Sequence, residues 1–88
     1  MKIEISEDVL FQEVGGETVL LDLHSEQYFG LDAVGTRIWQ LLGEGAGAEA
    51  VVEVLLAEYE VERETLVADV AELLDRLAEA GLIRLTGG

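Results

Sequence analysis

The sequence predicts an α+β chain, a three-stranded antiparallel sheet followed by three helices, and three observations carry that prediction. Two apolar runs flank Gly15-Gly16, the apolar spacing changes from strand-like to helical after Asp32, and Gly81 closes the last helical pattern. Half of the 88 residues are apolar, enough for a modest core in a chain near the lower size limit for folding without staples.

The first strand is Val9 to Val14 (VLFQEV) and the second Glu17 to Leu23 (ETVLLDL). The two glycines between them signal a two-residue hairpin turn, because such turns need positive φ. Val19, Leu21 and Leu23 fall on one face of the second strand. His24-Ser25-Glu26 is a polar turn, and Gln27 to Leu31 makes a short third strand. Asp32 can cap a helix from Ala33 to near Leu42. Within it Val34, Ile38 and Leu41 follow the spacing of a buried face, flanked by Trp39 and Leu42. Gly43, Gly45 and Gly47 break the helix into a loop. A second helix runs from Ala48 to near Tyr59, with Val51, Val52, Leu55, Leu56 and Tyr59 inward. A third and longest runs from near Glu62 to Ala80, and Leu82 to Leu85 is a short extended tail. There is no repeat and no boundary long enough to divide the chain, so residues 1–88 are expected to form one domain. Three strands, then three helices with the last two joined tightly, suggest a winged helix-turn-helix arrangement.

Charge narrows the function classes. Nineteen acidic residues against five basic ones give a formal net charge of −14. Binding nucleic acid through its phosphates requires lysine and arginine to displace counterions, so neither nucleic acid nor an anionic membrane is an expected partner. The absence of cysteine excludes disulfides and thiolate metal sites. No apolar run reaches the length of a signal peptide or membrane span, which places the protein in the cytoplasm as an expectation.

Nothing in the chain assembles a catalyst. His24 is the only histidine and lies in a polar turn, without partners for a triad or a metal site. None of the serines or threonines sits in a nucleophile motif. The carboxylates are spaced to solvate helix faces, and neither Gly15-Gly16 nor the GEGAG loop matches a phosphate-binding fingerprint. The expectation is a protein that is not an enzyme and holds no cofactor or metal.

The third helix and third strand say more. Leu66, Val70, Leu73 and Leu77 form one apolar stripe on the helix, and Val67, Ala71, Leu74 and Ala78 a second beside it. Together they span an arc of roughly 160°, wider than a surface helix needs to face its core. One reading buries the whole arc. The other uses the second stripe to line a groove beside the third strand, whose unpaired edge could take an extended peptide as an added strand. Gly30 would permit close backbone approach there. The edge could instead pair with its twin or be masked by Leu82 to Leu85.

"LDLHSEQYFGLDAVGTRIWQLL" together with "DVAELLDRLAEAGLI" (Asp69 to Ile83) resembles the PqqD-like family, the small leader-peptide recognition elements of ribosomally made, modified peptide pathways. The resemblance runs from Val9 to Ile83. It implies a winged helix-turn-helix fold without enzymatic activity, in which a precursor's leader docks as an added strand on the third strand against the third helix. Carried onto this sequence, the peptide-pairing positions are Gln27, Tyr28, Phe29 and Gly30, and the groove positions are Val67, Val70, Ala71 and Leu74. Asp69 matches the family's acidic position before valine. Within the family, a free-standing chain of this length resembles the recognition proteins of lasso peptide biosynthesis. Those work beside a separate leader peptidase on leaders carrying a tyrosine and, three residues later, a proline. The stand-alone chaperones of pyrroloquinoline quinone synthesis, which serve a modifying enzyme, are the alternative.

Two readings from other classes compete. A winged-helix DNA-binding regulator would read the major groove with the third helix. That helix region carries Glu62, Glu64, Asp69, Glu72, Asp75 and Glu79 against only Arg63 and Arg76, which opposes phosphate contact. An acyl carrier protein needs a serine at a helix start, whereas Ser6 and Ser25 lie before or between strands.

Overall fold

A computed structural model describes residues 2–86, in the order β1 (Lys2–Ile5), β2 (Val9–Val14), β3 (Glu17–Asp22), β4 (Gln27–Leu31), α1 (Ala33–Gly43), α2 (Ala48–Glu58), α3 (Arg63–Glu79) and β5 (Ile83–Thr86). Gly15 and Gly16 turn β2 into β3 with φ of +62° and +85°, as a two-residue hairpin requires, and Val14 pairs with Glu17 beside the turn. β2, β3 and β4 form an antiparallel sheet in sequence order, so β2 and β4 are its edges. With three helices following, this is the expected α+β architecture.

β1 and β5 were not both legible. The N-terminal strand has no counterpart in the sequence reading, and the C-terminal tail becomes its partner in a second, two-stranded sheet. Ile3 pairs with Leu85 and Ile5 with Ile83. The tail therefore does not mask the edge of β4. Ile3, Leu82 and Ile83 are buried by this closure, which explains why so short a pair forms.

The apolar face of β3 is also the opposite of the one its pattern draws the eye to. Thr18 and Leu20 point inward, while Val19 and Leu23 are about half exposed on the outer face with Leu10 and Tyr28. Leu20 is fully buried between Phe11 and Phe29 in the register, and buried Thr18 donates its hydroxyl hydrogen bond to Thr36 of α1 at 2.9 Å. That bond satisfies two buried hydroxyls at once and fixes α1 against the sheet.

Asp32 caps α1 as its position predicts, its Oδ1 accepting from the Gly35 N–H at 2.8 Å. Ile38, Trp39, Leu41 and Leu42 are buried, whereas Val34 stays partly exposed. Val51, Val52 and Leu55 of α2 enter the core, but Tyr59, just past its end, remains exposed. Leu66, Val70, Leu74 and Leu77 are the buried line of α3. Full burial of an aliphatic side chain such as Leu55 or Leu77 contributes about 1.5–3 kcal/mol. Arg37 of α1 ties down the end of α2 through a two-nitrogen contact with Glu58, its Nη2 at 2.7 Å and Nε at 2.9 Å. Among the described residues, no helix is long and apolar enough to cross a membrane.

Candidate functional site: the β4 edge and its cleft

Only one β4 edge faces a partner strand, and the register decides which backbone groups are left over. The Leu23 N–H bonds the Asp8 carbonyl at 2.9 Å, so the odd-numbered residues of β3 address β2. Antiparallel ladders alternate, and the even-numbered residues Thr18, Leu20 and Asp22 therefore address β4. Their partners are Leu31, Phe29 and Gln27. The backbone groups of Tyr28 and Gly30 point the other way, to the free edge. Of the four strand positions expected to pair with a peptide, these two carry the available donors and acceptors, and Gln27 and Phe29 use theirs within the sheet.

The turn before β4 is set by Asp22. Its carboxylate accepts from the His24 N–H at 3.0 Å and the Ser25 hydroxyl at 2.9 Å, and these bonds hold its pKa below the usual carboxylate value. Glu26 takes the left-handed conformation, φ +60°, to finish the turn. His24 itself lies on the surface, its Nε2 2.7 Å from the Asp8 carboxylate.

Beside the free edge lies a cleft of about 460 Å³. Phe29, Gly30 and Leu31 form its strand wall, Val34 and Ile38 of α1 its floor, and Asp69, Glu72, Leu73 and Arg76 of α3 its far wall. α1 reaches the cleft because Asp32 alone separates β4 from it. Asp69, Leu73 and Arg76 share one flank of α3 through i+4 and i+3 spacing. The Arg76 guanidinium lies over the Phe29 ring, Cζ 5.1 Å from the centroid, bridging the two walls. The cleft thus joins an apolar floor to a charged rim that Asp32, Asp69 and Glu72 share with one arginine, Arg76. Among the described residues, no group of side chains could hold a metal ion.

The expected groove positions on α3 do not join this cleft. Val67, Val70, Ala71 and Leu74 line a different cavity, of about 610 Å³, against Ala48, Ala50 and Val52 of α2 and Leu85 of β5. The reason is packing. α3 buries Val70 and Leu74, and its more apolar flank turns to α2 rather than to the sheet. Glu72, Leu73 and Arg76 stand in the cleft beside the β4 edge, although a charged flank does not announce a groove. Their signal lay in Asp69 and in Leu73, a stripe residue with acids and a base around it.

Known proteins resemble this chain over most of its length. The family described as Coenzyme PQQ synthesis protein D (PqqD) matches residues 17–83. Among solved structures, TbiB1 in complex with the TbiA(beta) leader peptide is 42% identical with a TM-score of 0.90, over 97% of this chain and 99% of that one. A lasso peptide synthetase B1 complexed with the leader peptide is 29% identical with a TM-score of 0.87, over 97% and 100%. Among curated proteins, none matches the sequence.

Proposed function

Because the chain belongs to the PqqD family, we propose that it is a leader-peptide recognition element of a lasso peptide pathway, one that binds the leader of a ribosomally made precursor and presents it to a separate processing enzyme. The observation that carries the binding mode is the pairing of two unpartnered backbone positions, Tyr28 and Gly30, with a cleft that begins on the same edge. An extended leader adds a strand to β4 there. Its backbone bonds Tyr28 and Gly30, and alternate side chains enter the cleft between Phe29 and the Leu73 flank of α3. Main-chain bonds supply affinity in this mode, and the shape and charge of the cleft supply selectivity.

The chain's own part is binding and presentation, without chemistry, and it acts in the cytoplasm where a precursor is made. The likeness to two leader-peptide complexes, one of them of a lasso peptide synthetase B1, favours a lasso precursor and a leader peptidase over the pyrroloquinoline quinone pathway. DNA is disfavoured because α3 adds three carboxylates, Glu64, Asp75 and Glu79, to the two that it places in the cleft wall.

Fluorescence anisotropy with a labelled leader from the precursor gene beside this one, and random duplex DNA as the comparison, tests this. Leader binding with a Kd in the micromolar range or tighter, about −8 kcal/mol or better, is expected, with no DNA signal. No leader binding together with a salt-sensitive DNA signal would return the fold to transcription.

A further inference from the structure

The second cavity has a build of its own. Its walls are two helices rather than a strand edge, and small residues (Ala48 and Ala50 on α2, Ala71 on α3) hold them open. Two large apolar side chains remain unused beside it, Val67 at 46% exposed and Leu85 at 36%. Around the opening stand Glu49, Glu53 and Asp75. The one base there, Arg63, is occupied by Glu53 at 2.8 Å. The site therefore offers an apolar trough with an anionic rim.

From these features we infer that the α2–α3 trough is a docking site for an amphipathic helix of a partner protein, apolar on one face and flanked by lysine or arginine. An apolar helix face laid into a groove is a recurring recognition mode, and small wall residues allow the close approach it needs. Charge selects the occupant. A second copy would bring the same acidic rim and a formal net charge of −14 against its own kind, whereas basic flanks meet Glu49 and Asp75. The trough lies on the flank of α3 away from β4, so its occupant leaves the leader cleft free.

The test is a ¹⁵N NMR titration with a synthetic helical peptide carrying leucine and alanine on one face and lysine on the flanks, run beside a twin with glutamate flanks. The lysine peptide is expected to move the amides around Ala50 and Ala71 and to bind at least tenfold more tightly than its twin. Ala71→Glu fills an exposed position in the trough while adding negative charge. It should abolish that response, where indiscriminate attraction to an acidic protein would grow stronger. Glu49→Lys, on the rim, should weaken the lysine peptide and favour the twin, and circular dichroism checks that both variants fold.

No localised response, or shifts spread over the acidic surface and undiminished in Ala71→Glu, would overturn the inference. So would concentration-dependent dimerisation that moves the same amides without peptide. Labelled leader, followed separately by anisotropy, should bind wild type and Ala71→Glu equally. Competition between leader and lysine peptide would assign the trough to the leader instead, and silence from the leader alone would count against the leader reading without touching the trough.

Discussion

α3 has two flanks of different character. Toward β4 it presents Asp69, Glu72, Leu73 and Arg76, beside a free strand edge and a cleft of about 460 Å³. Toward α2 it presents Val67, Val70, Ala71 and Leu74, in a larger cavity of about 610 Å³ whose wall is mostly apolar beneath a charged rim. Apolarity and volume alone would choose the second flank for a peptide. Strand addition also needs unpaired backbone groups, and Tyr28 and Gly30 place those on the first. An extended ligand is sorted by what its main chain can bond, and a helical one, already satisfied internally, by apolar surface.

The sharpest way to break this contrast is at the wall the two flanks share with the core. Leu74 is 5% exposed, so Leu74→Glu buries an unpaired carboxylate and is expected to destabilise the fold by at least about 3 kcal/mol, read as a lower urea midpoint. Ala71→Glu, one turn back and exposed, should cost far less. Equal and small losses for both would mean that Leu74 is not part of the core.

A second pair of variants separates the two sides of β4. Phe29→Pro removes a donor that bonds β3 and should cost about 1–3 kcal/mol of stability. Tyr28→Pro removes a donor on the free edge and should leave stability less affected while weakening leader binding by about 1 kcal/mol, roughly fivefold in Kd. The opposite assignment, with Tyr28→Pro the more destabilising, would invert the register argument.

The smallest effect is set by pH. The Arg37 hydrogen bonds hold the Glu58 carboxyl below its ordinary value, as those from His24 and Ser25 do for Asp22. A carboxylate with a depressed folded pKa contributes stability that is complete above its unfolded pKa and is lost as pH falls through the folded one. The contributions of Asp22 and Glu58 to thermal stability should therefore be complete above the ordinary carboxylate range of about 4 and be lost below it. Arg37→Gln should shallow that decline, and both groups are exposed enough for the change to be small.

The elements that rest on local chemistry were legible in the sequence. The Gly15-Gly16 turn, the Asp32 cap and the helix limits all lie within one residue of expectation, because turn and cap residues act on their neighbours. β1 was not legible, since four residues with one buried side chain carry too little pattern without their distant partner. Of the candidate site, the strand was legible and the helix flank beside it was not. The strand Gln27 to Gly30 announces itself through Tyr28, Phe29 and Gly30, but the rotation of α3 is a tertiary choice. Two apolar stripes lie side by side on that helix, and periodicity cannot say which neighbour each will meet. Only packing against α2 turned Val67 and Ala71 away from the sheet.

β1 and β5 carry a consequence for how the chain folds. β1 pairs, Lys2 with Thr86, with a strand 84 residues away, so this pairing closes the longest loop in the described fold. The hairpins of β2 to β4 and the helix pair close between neighbours in sequence, whereas Ile3 and Ile83 reach the core through this distant pairing. With no proline in the chain, no prolyl isomerisation competes for the role of slowest step. Contact order therefore favours β1–β5 closure as the late step, with the β4 edge, built from local hairpins, shaped before it.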